Sequence, residues 1–174
     1  TQNRYRDSDG TEVISESNNR TLRIQTDGTI LYQSDDDSTL SIEAEGTTPS
    51  PVEAATEVCA LLHSLLPASS GPAGLYLEHI QQTNNITQLR FGYQVGGVPV
   101  RFANGQSAAL VTLSGTTVSS ITLNFRQYTV TENASLLLPL RQTLAIAADL
   151  PEAALSIGYA DQEDGIVRAV WMAN

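Results

Sequence analysis

The stretch from residue 86 to residue 128 constrains the fold more than any other, because apolar and polar residues alternate along it with almost no charge. Glycines break the alternation at Gly96-Gly97, at Asn104-Gly105 and at Gly115. Alternation with a period of two is typical of strands that bury one face, and Gly and Asn are typical of the turns that join antiparallel strands. The stretch therefore predicts a series of short antiparallel strands.

Similar runs extend this prediction in both directions. Residues 20–33 hold two alternating runs around Asp27-Gly28, which is a good hairpin signal, and residues 39–45 alternate once more. Two runs near the end, on either side of the acidic loop at residues 161–165, are predicted to form a closing antiparallel pair. Further strands are predicted at residues 75–81, 88–95, 98–103, 108–114 and 118–128.

Two helices are predicted between these strands. Ser50 caps the first, Pro51 takes its first position, and Glu53 completes a capping box. The apolar residues of this helix recur at helical spacing and are Val52, Ala55, Val58, Cys59, Leu62, Leu65 and Leu66. The second helix is predicted from Pro139 to the residue before Pro151, and the residues expected to face the sheet are Leu140, Leu144, Ala147 and Ala148.

This order of elements predicts an α+β fold: a mainly antiparallel sheet of many short strands with two packing helices. Residues 20–174 are predicted to form one α+β domain, or two closely packed subdomains, because a chain of 174 residues suffices for one good core. Residues 1–19 are polar and are predicted to be a linker or tail. The chain begins with Thr1 rather than Met, so we expect that an N-terminal segment, such as a signal peptide, a lipoprotein anchor or a membrane helix, has been removed.

The charge balance narrows the range of partners. The chain has 19 acidic and 9 basic residues and a net charge of -10, which makes nucleic acid and anionic lipid surfaces poor partners. No apolar run approaches the roughly 20 residues that span a bilayer. The single cysteine, Cys59, excludes an internal disulfide.

Each candidate catalytic or metal-binding group has an ordinary structural explanation as an alternative to a functional role. His63 neighbours Ser64 on a helix and His79 neighbours Glu78 on a strand, and neither pair is expected to face each other. Cys59 lies on the apolar helix face, where a thiol packs as a small hydrophobe. The acidic groups Asp35, Asp36, Asp37, Asp161, Glu163 and Asp164 lack the spacing of a calcium loop. The sequence therefore predicts no catalytic, cofactor-binding or metal-binding residue, and no enzyme.

A polar sheet face is the candidate for partner binding. The strand at residues 118–128 alternates apolar residues with polar ones, so one of its faces is expected to meet solvent. Arginine and tyrosine are favoured at recognition surfaces. The predicted partner surface consists of Arg90, Arg101, Thr122, Asn124, Arg126 and Tyr128.

The chain resembles a known family over roughly residues 75 to 174. The segments FGYQVGGVPVRFANG, NFRQY, LLPLRQTLAIAA and SIGYADQEDGIVRAVWMAN, which lie between residues 91 and 174, resemble the YycH/YycI group of extracytoplasmic regulators and the related PepSY-like domains. The family positions are occupied by Gly97-Val98-Pro99, Ala145 to Ala148, Tyr159 and Trp171.

The resemblance implies a function. It implies a Gram-positive, membrane-anchored or secreted protein without enzymatic activity, whose relatives bind a sensor histidine kinase that controls cell-wall metabolism. The alternatives are a PepSY-like inhibitor module that masks a secreted protease, and a general envelope-binding lipoprotein domain. In each case the expected partner lies outside the cytoplasm.

Overall fold

A computed structural model describes residues 2–16, 19–35, 40–66, 71–132, 134–147, 151, 154–162 and 165–173. Within these described residues the protein is mostly antiparallel sheet, with 49% in strands, and it has two helices, so the α+β class is confirmed. The strands are β1 (Gln2–Arg6), β2 (Glu12–Glu16), β3 (Arg20–Ile24), β4 (Thr29–Ser34), β5 (Ala73–Thr83), β6 (Ile86–Val95), β7 (Val98–Phe102), β8 (Ala109–Ser114), β9 (Thr117–Asn124), β10 (Leu155–Asp161) and β11 (Val167–Ala173). The helices are α1 (Pro51–Leu65) and α2 (Leu140–Ile146).

The strands form one open sheet that forks at β6. Its main path runs β1-β2-β3-β4-β9-β8-β6-β7-β10-β11, and β5 pairs with the other edge of β6. Residues 86–91 of β6 pair with β8, and residues 93–95 pair with β7. Every pairing is antiparallel except that of β7 with β10. One long strand therefore holds together a branch toward β1 and a branch toward β11.

Helix α1 covers one face of the first branch, which we call the helix face. This face carries Leu89, Val111 and Ile121, and their side chains form the main core with α1. The opposite face, which we call the open face, carries the residues that alternate with them, including Arg90 and Thr122. One face of the sheet is therefore covered by α1, whereas the opposite face carries side chains such as Arg90 and Thr122.

A second core lies on the helix-face side of the β7 branch. It consists of Ala73, Tyr93, Val100, Phe102 and Ala108. The crossover segment, residues 125–139, is tied to β11 at two points. The Ala169 N–H donates to Ser135 Oγ at 3.1 Å, and the Trp171 ring N–H donates to the carbonyl of Leu138 at 2.9 Å.

The start of α1 agrees with the sequence prediction, while its buried face differs. Ser50 Oγ accepts from the backbone N–H of Glu53, and the Glu53 carboxylate accepts from the Ser50 N–H. The buried residues of the helix are Ala54, Val58 and Leu62, spaced four apart. Two predicted core residues are exposed, Val52 by 75% and Leu65 by 49%. Val52 points away from this buried stripe. Leu65 lies in the last turn of α1, and its apolar side chain does not by itself show whether the sheet extends beneath that turn.

Three predictions of secondary structure need correction. The polar linker expected at residues 1–19 contains β1 and β2, and Val13 within it is 1% exposed. The run at residues 39–45 makes only an isolated bridge, between Ser41 and Thr117. The strand expected at 118–128 ends at Asn124. Alternation is weak in residues 1–19, whereas in residues 39–45 and beyond Asn124 it continues where the neighbouring strand offers little or no pairing, which local sequence does not reveal.

The remaining elements agree with the sequence more closely. The hairpin around Asp27-Gly28 is present as β3 and β4, with Gly28 at a φ of 88°. The closing pair is present as β10 and β11. Helix α2 is shorter than predicted and none of its residues is fully buried; Leu140, Leu144 and Ala147 are half-buried, and Ala148 lies outside the described residues.

Candidate functional site

Three of the six predicted surface residues share the open face. Arg90 and Thr122 lie in one row across β6, β8 and β9, because each pairs directly with Leu110. Arg101 lies on β7, next to Val100, which pairs with the helix-face residue Tyr93. Arg90 and Arg101 are exposed, and Thr122 is half-buried. The structure therefore places these three residues on one surface.

Asn124 is not part of that surface. It is 2% exposed, and its side chain accepts from Thr29 Oγ1 at 3.0 Å and donates to the carbonyl of Ser107 at 2.7 Å. These bonds join β4 and β9 to the segment before β8. Asn124 is thus a buried structural residue, and its prediction as a surface residue is wrong.

The prediction also placed Arg126 and Tyr128 on the polar surface, which is wrong, because both pack against the second core. The Arg126 guanidinium lies 5.5 Å above the Phe102 ring, and the Tyr128 ring meets the Tyr93 ring edge-on at 5.6 Å. Because β9 ends at Asn124, strand alternation no longer determines where these two side chains point.

Asp161 joins these two residues to β10. Tyr128 Oη donates to Asp161 Oδ2 at 3.1 Å, and Arg126 Nε lies 3.9 Å from the same oxygen. Burial raises the pKa of Tyr128 strongly, and the charge and hydrogen bond of Asp161 add to this increase. A cleft of about 560 Å³ opens beside them, lined also by Asp27 and Gln127. A phenol held protonated by a carboxylate is a poor general base, so we interpret this cluster as a link between the crossover segment and the sheet.

We call a cluster at the β5 end of the open face the basic patch. The predicted partner surface included only two of its members, Arg90 and Arg101. The basic patch consists of Tyr76, Glu78, His79, Arg90 and Arg101. Glu78 Oε1 accepts from Tyr76 Oη at 2.9 Å and from Arg101 Nη1 at 2.7 Å. His79 pairs with Arg90 on the neighbouring strand. Burial raises the pKa of Tyr76 to about 12, and the hydrogen bond and charge of Glu78 contribute.

A β-bulge explains why Glu78 escaped the prediction. Adjacent strand residues were expected to point to opposite faces, but the register of β5 shifts between Leu77 and His79. The extra residue, Glu78, contacts Tyr76 and Arg101 on the same face that carries His79. Gly92 gave the available signal, because a Cβ there would lie 2.5 Å from Glu78 Oε1. A glycine in mid-strand often marks such a close approach.

The candidate catalytic pair on α1 has an ordinary geometry. His63 Nδ1 lies 2.7 Å from the carbonyl oxygen of Cys59 and 3.5 Å from its Sγ. A carbonyl oxygen only accepts hydrogen bonds, so Nδ1 carries a proton and does not take one from the thiol. Ser64 Oγ donates to the carbonyl of Leu61 and not to His63. Cys59 itself is half-buried against the main core, as a small hydrophobe would be.

The structure describes two of the six candidate acidic groups. Asp35 is exposed, Asp161 is engaged with Tyr128, and Asp36, Asp37, Glu163 and Asp164 lie outside the described residues. Within the described ranges, no three His, Cys, Asp or Glu side chains are grouped as metal ligands. In the same part of the chain, neither helix has the length and apolar character required to cross a membrane.

The fold and this surface define a class: an α+β domain whose antiparallel sheet is covered by a helix on one face and carries exposed polar and basic side chains on the other. Comparisons of the chain with protein-family models, with curated proteins and with solved structures found no match.

Proposed function

We propose that this protein is a non-enzymatic extracytoplasmic regulatory domain that binds a protein partner through the basic patch on its open face. The proposal follows the resemblance to YycH/YycI-like regulators, so the partner we expect is a membrane sensor histidine kinase that controls cell-wall metabolism. The domain would reach that partner from outside the cytoplasm.

The charge of the open face is the observation that supports this proposal. The whole chain has a net charge of -10. Glu78 is the acidic residue among the strand residues that the structure describes on the open face, and it is paired with Arg101. Arg23 and Arg90 are exposed on the same face. A basic surface on an acidic protein favours an acidic segment of a partner, because complementary charge steers encounter and suppresses wrong partners.

Affinity capture tests the proposal. The domain would be used as bait on detergent-solubilised membranes of the source organism, with the captured proteins identified by mass spectrometry. We expect a sensor kinase to be recovered by the natural protein and lost with Arg90→Glu, which reverses one exposed charge in the patch. Arg141→Glu is the matched control, because Arg141 is an exposed arginine on α2, and this variant should capture the kinase normally.

Other outcomes would replace the proposal. Equal capture by Arg90→Glu and the natural protein would exclude the basic patch as the binding site. Recovery of secreted proteases alone would favour a PepSY-like inhibitor module, which an assay of protease inhibition would then check. Recovery of wall fragments alone would favour a general envelope-binding lipoprotein domain.

A further inference from the structure

The open face carries a second feature, a continuous row of uncharged polar side chains that crosses eight strands. Each member pairs directly with the next in the strand register. We call this set the polar row, and its members are Asn3, Ser15, Thr21, Gln33, Ser120, Thr112, Gln88 and Gln81. All eight therefore point to one side of the sheet.

The composition of the polar row differs from that of an ordinary solvated sheet face. Exposed sheet surfaces usually mix charges of both signs, and the adjacent row on this face includes Arg23 and Arg90. The polar row contains only hydroxyl and amide side chains, each of which both donates and accepts hydrogen bonds. A ligand that matches it is itself uncharged and rich in groups that donate and accept.

The middle of the row lies at a cleft. This cleft measures about 490 Å³, and three members of the polar row line it: Thr21, Gln33 and Ser120. The other lining residues are the uncharged Asn19, Ser34 and Ser119 and the acidic Asp35. The cleft thus extends the hydrogen-bonding surface into a concave site, which is the shape that holds a small polar unit.

The dimensions of the row favour a polymer. Neighbouring strands are about 4.8 Å apart, so eight strands span on the order of 34 Å. The spacing of the side chains is close to the length of one pyranose ring along a β-linked glycan. We propose that the polar row and its cleft bind a neutral, extended polysaccharide, with sugar hydroxyls bonded along the row and a central sugar unit seated in the cleft.

This site is separate in chemistry from the basic patch and does not depend on the proposed protein partner. The cleft lies at β3, β4 and β9, whereas the patch lies at β5, β6 and β7, where the polar row ends beside it at Gln88 and Gln81. A natural protein that captures the kinase but binds no glycan would overturn this inference alone. The reverse result would overturn the proposed function alone.

Titration with defined oligosaccharides tests the inference. The probes are chitohexaose and cellohexaose, which are neutral β-linked hexasaccharides, and binding is followed by amide NMR of the whole domain. We expect at least one of them to shift the resonances of β3, β4 and β9. The variant Thr21→Val/Gln33→Met/Thr112→Val keeps side-chain size while removing polar groups, and it should bind about tenfold or more weakly, since three hydrogen-bonding side chains are lost.

Thr56→Val is the control, because Thr56 is exposed on α1 at the other side of the sheet, and it should bind as the natural protein does. Unchanged NMR dispersion in each variant shows that the fold is kept. The inference is wrong if neither hexasaccharide binds, if the row variant binds as well as the control, or if acidic polygalacturonate binds better than the neutral glycans.

Discussion

Glu78 shows how a single bulged residue changes which side chains a strand exposes on one face. It does so through its contacts with Tyr76 and Arg101. The bulge at Glu78 brings its carboxylate to the open face, where it accepts hydrogen bonds from both neighbours. Gly92 beneath them leaves room for the carboxylate, because any larger residue would contact it. Arg101 is exposed, so its ion pair with Glu78 adds little stability. The main consequence of the pair is to fix the positions of these groups.

This geometry predicts an unusual tyrosine titration. Burial, followed by the hydrogen bond and charge of Glu78, raises the pKa of Tyr76 from 10.0 to about 12. The folded state therefore keeps a proton that the unfolded state loses. The stabilisation is fully present below pH 10 and is lost as the pH rises through about 12.

Tyrosinate absorbance, compared between the natural protein and Tyr76→Phe, measures this pKa. Glu78→Gln should lower it while leaving it above 10, because burial remains. Far-UV circular dichroism at each pH shows whether the fold is kept. A difference titration centred near pH 10 in the natural protein would contradict this geometry.

Among the elements, α1 shows what a local pattern predicts well. The capping box of Ser50 and Glu53 is a purely local arrangement, and the helix begins where the sequence indicates. The identity of the buried residues depends on the sheet beneath the helix. Leu62 is fully buried, while Leu65 is 49% exposed, although both are leucines in the second half of the helix.

Two alanine substitutions distinguish these leucines. Leu62→Ala should reduce the free energy of unfolding by about 2–5 kcal/mol, because it leaves a cavity between α1 and the sheet. Leu65→Ala should cost about 1 kcal/mol or less, since half of that side chain already meets water. Urea denaturation measures both values. Equal losses would mean that the helix is rotated or shifted on the sheet.

For the molecule as a whole, β6 and the N-terminal hairpin determine the extent of the sheet. β6 pairs with three strands and so connects both branches. The hairpin of β1 and β2 extends the first branch beyond β3, and Val13 is buried within it. Residues 2–16 are therefore an integral part of the sheet.

Hydrogen exchange tests this assignment. The amides of β2 that bond to β1 or β3 should exchange slowly, with protection close to that of β3, because ladder hydrogen bonds must open before exchange. Residues 129–131 of the crossover segment, which are exposed and lie outside any helix or strand, are the internal reference for rapid exchange. Rapid exchange throughout residues 2–16 would restore the interpretation of this segment as a tail.

Local sequence rules were sufficient for the α+β class, the β3–β4 hairpin, the start of α1 and most of the strands from β5 to β11. These features depend on alternation, turn residues and capping groups, which lie within a few positions of each other. Arg90, Arg101 and Thr122 were assigned to one polar face for the same reason.

The remaining features follow from contacts between distant parts of the chain. Asn124 is buried because Thr29 and Ser107, which are distant in sequence, meet it. Arg126 and Tyr128 turn to the second core because β9 ends before them and Asp161 lies across the sheet. The polar row exists only in the strand register, since its eight members are scattered between residues 3 and 120. Such contacts join residues far apart in the chain, and no local pattern records them.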